Sequence, residues 1–191
     1  IFMNDYCRSY GLGESTGIEL PESTGILAGP LYREENGLSG WTEGNTIQAA
    51  IGQADNMFSP LQIANYIATV TNGGTKYSLG VLREVREYGS GEIIYKREST
   101  VVDSVSLSAD AIGAVRSGMK QMIASDNAAS SYMSGLPVTV GGKTGTAQRG
   151  NGKNDNRLFV CAAPYNDPEI VISVVIEPDD EVPKDNAHGS S

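Results

Sequence analysis

Three strand-like runs stand close together in the later part of the chain, and they constrain its fold more than any other feature. Val138 to Gln148 is the first, Arg157 to Ala163 the second and Glu169 to Ile176 the third. In the third, Ile170, Val171, Ile172, Val174, Val175 and Ile176 are nearly continuous. Runs this short and this rich in β-branched residues favour strands. The connections are short, and Asn151 to Asn156 reads as a polar hairpin loop. A parallel pair needs a crossover of about a dozen residues or more, so these neighbours are expected to be antiparallel.

Ahead of the strands the pattern is helical. Ser59-Pro60 opens the clearest helix: a serine caps exposed N–H groups and proline suits the first helical position. Leu61, Ala64, Ile67, Ala68 and Val70 follow at helical spacing, and Asn72-Gly73-Gly74 ends the run. Ser108-Ala109-Asp110 starts a second helix reaching about Ala124, with Ile112, Val115, Met119 and Met122 or Ile123 on one face. Residues 1 to 12 read as the end of a helix that stops at Gly11 and Gly13. Ser15 to Ser39, rich in Gly, Pro and acidic residues, reads as an irregular connection. Trp41 to Gln53 holds a short apolar segment, Ile47 to Ile51. Val81 to Val102 alternates in places around Tyr88-Gly89-Ser90-Gly91-Glu92, which predicts a hairpin. There is no internal repeat. The expected class is α+β, with helices packed on an antiparallel sheet.

Composition removes several functions. Acidic residues outnumber basic ones 23 to 14, for a net charge of −9, whereas nucleic-acid binding needs a basic footprint. No apolar run reaches the about 18 residues of a membrane span. His188 is the only histidine and lies in a polar tail, so a Ser-His-Asp triad is not expected. No His/Cys cluster has metal-ligand spacing. Two cysteines, Cys7 and Cys161, are read as unpaired thiols in preference to a single bridge.

Val140-Gly141-Gly142-Lys143-Thr144-Gly145-Thr146-Ala147-Gln148 carries the chemistry. A phosphate-binding loop would need a glycine at Pro137 and a helix directly after the motif. Arg149-Gly150-Asn151-Gly152 cannot start one. The alternative is the K-T-G of penicillin-interacting serine acyltransferases. That chemistry needs a serine nucleophile, a cation and hydroxyls for the substrate carboxylate, and backbone N–H donors for an oxyanion. Lys143 brings the charge, the Thr144 hydroxyl can bond a carboxylate, and Gly145 removes a side chain from the substrate's path to the strand edge.

Four segments extend the match. Tyr10-Gly11-Leu12-Gly13 with Thr16-Gly17-Ile18-Glu19-Leu20-Pro21 resembles the "GFG…TGIDLP" of class B penicillin-binding proteins. Ile51-Gly52-Gln53, Ser59-Pro60-Leu61-Gln62 and Thr71-Asn72-Gly73-Gly74 resemble its "IGQG…TPLQ…ANGG". Gly142 to Gln148 resembles "GKTGTAQ", and Leu158-Phe159-Val160 with Ala163-Pro164 resembles "FVGYAP". All occur in the family's order. Ala54 departs from it, standing where the family usually has Gly. The likeness is greatest to the elongation type. It implies a penicillin-binding transpeptidase fold and a D,D-transpeptidase that cross-links peptidoglycan by serine acyl transfer, without metal or cofactor. Lys143, Thr144, Gly145 and Thr146 would bind the acyl-D-Ala-D-Ala stem peptide or a β-lactam, and Thr146 would give a main-chain N–H to the oxyanion hole. Elongation or division machinery would be the protein partners. The parent would sit at the extracytoplasmic face of the bacterial cytoplasmic membrane on a single-pass anchor. A β-lactam sensor domain that does not cross-link is the alternative, and the "GIELP" and "SPLQ" segments favour the transpeptidase.

The resemblance also implies a nucleophile motif S-x-x-K and a second motif S-x-N well before the K-T-G. Ser117-Gly118-Met119-Lys120 and Ser125-Asp126-Asn127 spell them, but they lie only 26 and 18 residues before Lys143. That leaves no room for the subdomain that presents the serine, so both are read as a helix and its following loop. Residues 1–191 are therefore expected to be the C-terminal portion of the domain. The nucleophile would precede Ile1, a final segment would follow Ser191, and the chain alone would take no acyl label from penicillin. Asp55 and Asn56 lie either near the site or, preferably, in a capped loop before Ser59. Trp41 is preferred as a packing residue over a substrate platform. Arg149 and Arg157 are preferred as solvated loop charges over contacts to glycan or a partner.

Overall fold

The computed structural model describes residues 2–149 and 153–179. In chain order the elements are α1 (Phe2–Ser9), α2 (Pro30–Glu35), α3 (Glu43–Ala50), α4 (Pro60–Thr71), β1 (Thr75–Tyr77), β2 (Glu84–Arg86), β3 (Ile93–Lys96), β4 (Val101–Ser104), α5 (Ala109–Ser125), α6 (Asn127–Met133), β5 (Gly141–Ala147), β6 (Asn156–Ala163) and β7 (Ile170–Ile176). The class is α+β, as expected.

The three late strands form an antiparallel sheet in the order β5-β6-β7. Its register is regular, with Lys143 opposite Val160 and Val160 opposite Ser173. Because side chains alternate along a strand, Leu158, Val160, Ala162 and Val171 share one face. That face meets α4 and α5: Ile67, Met119, Val160 and Ala162 form the core, with Ile63, Tyr66, Leu158 and Val171 against it. On the other face Ile170, Ile172, Val174 and Ile176 are exposed. Such a continuous apolar run suits a strand covered on both sides, and the described residues cover only one.

Local chemistry explains the helices. Ser59 Oγ accepts from the Gln62 N–H at 3.2 Å, and Gln62 Oε1 accepts from the Ser59 N–H at 3.0 Å. This capping box, with Pro60 next, starts α4 where the sequence placed it. Ser108 Oγ caps α5 by accepting from the Ala111 N–H at 3.1 Å. The buried face of α5 differs by one position from expectation. Met119 and Ile123 are buried, while Val115 is 47% exposed. The stripe that meets the sheet runs through Ile112, Arg116, Met119 and Ile123, which 3.6-residue periodicity aligns. Arg116 donates there to the Tyr165 and Asn166 carbonyls, at 2.6 and 2.5 Å.

Two expected loops contain helix. The stretch from Ser15 to Ser39 holds α2, opened by Pro30, and Ile26 bridges to Met57. After α5, Asp126 accepts from the Ala128 and Ala129 N–H groups and so caps α6. The Tyr88–Gly91 hairpin joins β2 to β3, whereas β4 pairs with β1. The first late strand begins at Gly141, three residues later than expected. Cys7 and Cys161 are free thiols, and burial raises the pKa of both. Residues 151 and 152 of the hairpin loop, His188 and the 186–191 tail lie outside the described residues. No described helix is long and apolar enough to cross a membrane.

Candidate active site

The K-T-G lies on β5, an edge strand whose only described partner is β6. Lys143, Thr144 and Thr146 are exposed and Gly145 is half-buried. The two glycines around Lys143 differ in what they do. A Cβ on Gly142 would stand 2.9 Å from the Val160 carbonyl oxygen, 3.0 Å from Ile123 Cδ1 and 3.1 Å from Phe159 Cζ. Packing leaves no room there. A Cβ on Gly145 would meet nothing closer than Leu158 Cβ at 3.4 Å, an ordinary contact. Packing does not require glycine at 145.

Two side chains reach the outer edge of β5. Lys143 Nζ donates to the Thr144 carbonyl at 2.8 Å, and Gln53 Nε2 donates to the Thr146 carbonyl at 3.0 Å. Gln53 is 93 residues away in sequence, and sequence reading gave it no role beyond its place in the Ile51-Gly52-Gln53 segment. No periodicity or spacing could have linked it to β5.

The loop holding Gln53 is built by its neighbours. Asn56 Oδ1 accepts from the Ala28 N–H at 2.9 Å, and its Nδ2 donates to the Ala49 and Gln53 carbonyls at 3.2 and 3.0 Å. Asp55 receives a bidentate pair from Arg33, at 2.6 and 3.1 Å. Both residues therefore build the loop. Trp41 Nε1 donates to Thr46 Oγ1 at 2.8 Å, and the Arg33 guanidinium lies 5.7 Å from its ring centroid. Ala54 has φ 59°, in the left-handed region. This is the position where the resemblance implied glycine, which the left-handed backbone would suit.

The apparent catalytic motifs on α5 are absorbed by the helix. Ser117 and Lys120 are exposed, with Lys120 Nζ 5.2 Å from the Tyr165 ring centroid. Ser125 Oγ donates to the Met122 carbonyl at 3.3 Å. Arg157 stands on β6 opposite Thr146. No cluster of three or more His, Cys, Asp or Glu able to hold a metal occurs among the described residues.

An exposed lysine and two threonines on a free strand edge, after a glycine locked by packing, match the pattern of one family. The model of the penicillin-binding protein transpeptidase domain matches residues 2–191. The chain belongs to that family. It is 32% identical over 186 residues to penicillin-binding protein 2A of Bacillus subtilis, covering 90% of this chain and 24% of the relative. It is 32% identical over 199 residues to the peptidoglycan D,D-transpeptidase MrdA of Acinetobacter baumannii, covering 92% and 28%. The solved complex of penicillin-binding protein PBP2 with MreC from Helicobacter pylori matches with a TM-score of 0.69 and 26% identity, over 89% of this chain and 30% of that one. The class B resemblance of the sequence, greatest to the elongation type, holds. The chain spans about a quarter of the length of the curated relatives it matches.

The other segments of the penicillin-binding family prove to be struts. In Thr16 to Pro21, Glu19 takes the Val81 N–H at 3.0 Å and pairs with Arg97. Glu22 just beyond accepts from Ser15 Oγ and from the Thr16 and Gly17 backbone, and these bonds hold its pKa down at about 2. In Ser59 to Gln62, Gln62 is fully buried and ties α4 to two loops. Val160 of the Leu158–Val160 segment is a core residue.

Proposed function

We propose that this chain forms one wall of the cleft of a peptidoglycan D,D-transpeptidase. Gly145 carries the reading: the fold leaves space for a side chain there, yet the position is bare, on an edge flanked by an ammonium and two hydroxyls. In an antiparallel strand the N–H and C=O of one residue point the same way. The Thr146 carbonyl accepts from the Gln53 side chain, and on this reading it faces the open edge together with the Thr146 N–H. There it can receive the oxyanion formed when a serine attacks the penultimate D-Ala carbonyl of a stem peptide or the lactam carbonyl of a drug. Lys143 and Thr144 bind the substrate carboxylate.

The nucleophile belongs to a part of the parent outside residues 1–191. The spacing of Ser117 and Ser125, their absorption into α5, and the length of the relatives support this placement. The parent acts at the extracytoplasmic face of the membrane. The likeness to a penicillin-binding protein solved with MreC supports a partner from the elongation machinery.

Acylation kinetics of the full-length parent with a fluorescent penicillin test the reading. Lys143→Ala removes a charge-assisted bond to the carboxylate, worth about 2 kcal/mol, and should slow acylation about 30-fold. An unchanged rate would remove Lys143 from the site. Cross-linking of stem peptides by the same preparation separates a transpeptidase from a sensor that only binds drug.

A further inference from the structure

The outer edge of β5 is not bare. Its outward carbonyls at Thr144 and Thr146 each carry a side-chain donor, from Lys143 Nζ at 2.8 Å and Gln53 Nε2 at 3.0 Å. Unpaired edge carbonyls recruit other strands, and donors placed on them keep the edge closed. Lys143 bonds its own neighbour. Gln53 comes from the turn after α3, and its backbone is held there by the Gln48 carbonyl, which accepts its N–H at 2.9 Å, and by Asn56. The left-handed Ala54 follows immediately, and strained turns of this kind cluster where a side chain must be aimed. The side chain is half-buried and holds the Thr146 carbonyl through Nε2, while its root is fixed.

An extended peptide adding to this edge meets Gln53 at one definite point. In a hydrogen-bonded antiparallel pair, two opposed residues exchange both bonds. A substrate residue whose carbonyl oxygen sits on the Thr146 N–H must therefore place its own amide N–H on the Thr146 carbonyl. Gln53 already occupies that carbonyl.

We infer that the Gln53 carboxamide is a placeholder for the acyl donor's amide N–H, so that it competes with substrates bearing such an amide and is indifferent to those lacking one. The inference rests on the transpeptidase reading and adds a specificity determinant to it. Binding exchanges one hydrogen bond for another at Thr146, and the displaced carboxamide returns to solvent. The edge is thereby closed to chance strands, at the cost to the intended one of displacing a single hydrogen bond.

The test compares two β-lactams on the full-length parent. Benzylpenicillin carries an acylamino N–H beside the lactam, and a carbapenem carries none. Second-order acylation rates are measured by intact-protein mass spectrometry for the wild type, Gln53→Ala and Gln53→Met; the methionine keeps length without a donor. Both variants should accelerate acylation by benzylpenicillin about five-fold, the weight of one ordinary hydrogen bond, and leave the carbapenem within two-fold. A common factor on both drugs, in either direction, or no change on either, would overturn the placeholder. The ratio of the two rates within one preparation cancels any change in the fraction folded. A wild type that neither drug acylates refutes the transpeptidase reading instead.

Discussion

Gln62 should be the most costly polar side chain in the chain to remove. It is 0% exposed. Its Oε1 accepts from the Ser59 N–H at 3.0 Å, and its Nε2 donates to the Glu14 and Thr24 carbonyls at 2.7 and 2.8 Å. Gln62→Ala deletes all three bonds and leaves one donor and two acceptors without that partner. At about 1 kcal/mol per net bond the loss is about 3 kcal/mol, and lost packing adds about 1 more. Domains of this size hold about 5–15 kcal/mol in total, so the variant gives up a large share. Gln62→Glu should be worse at neutral pH, because a carboxylate would face two carbonyl oxygens. It should recover as pH falls and the acid regains a donor. Urea unfolding of the parent, followed by circular dichroism, measures both. A midpoint shift below about 1 kcal/mol for Gln62→Ala, with an unchanged slope, would refute the view that this residue ties α4 to the early loops.

Three further outcomes are expected. Gly142→Ala should destabilise by about 1–3 kcal/mol through overpacking against Val160, Ile123 and Phe159, whereas Gly145→Ala should keep the melting temperature and slow acylation; equal effects on stability would contradict the division drawn between them. Ala54→Gly should raise stability by up to about 1 kcal/mol, because φ 59° is strained for alanine and not for glycine; urea midpoints decide it. The Glu22 carboxylate has a folded pKa of about 2, below its unfolded value, through bonds from Ser15, Thr16 and Gly17. Its contribution is therefore complete above pH about 4.5 and lost as pH falls toward 2. Glu22→Gln should flatten the acid limb of a stability profile over that window, and an unaltered limb would count against it.

How much was legible in the sequence depended on the range of the interaction. Ser59-Pro60 and Ser108 fixed where α4 and α5 begin, because a cap acts on backbone within three residues. The β-branched runs located β6 and β7, and short connections made them antiparallel. Lys143, Thr144 and Thr146 could be proposed together because they lie within four residues of one strand. Short-range pattern was less reliable where tertiary packing set the phase. Val115 was placed on the buried face of α5, where Arg116 and its carbonyl partners stand instead. The proline at the head of α2 lay inside a stretch whose composition suggested only loop.

The sequence by itself determined the class, the two main helices and the order of the three late strands, including the strand that carries the K-T-G. Only the tertiary structure decided which neighbours those residues keep. It separated Gly142, locked by atoms from β6 and α5, from Gly145, which nothing crowds. It turned Gln62 and Glu22 into struts and placed Gln53 on the Thr146 carbonyl across 93 residues. Hydrogen bonds and packing contacts between distant segments leave no periodic trace along the chain, because they depend on distances that exist only once the sheet and its helices have closed on one another.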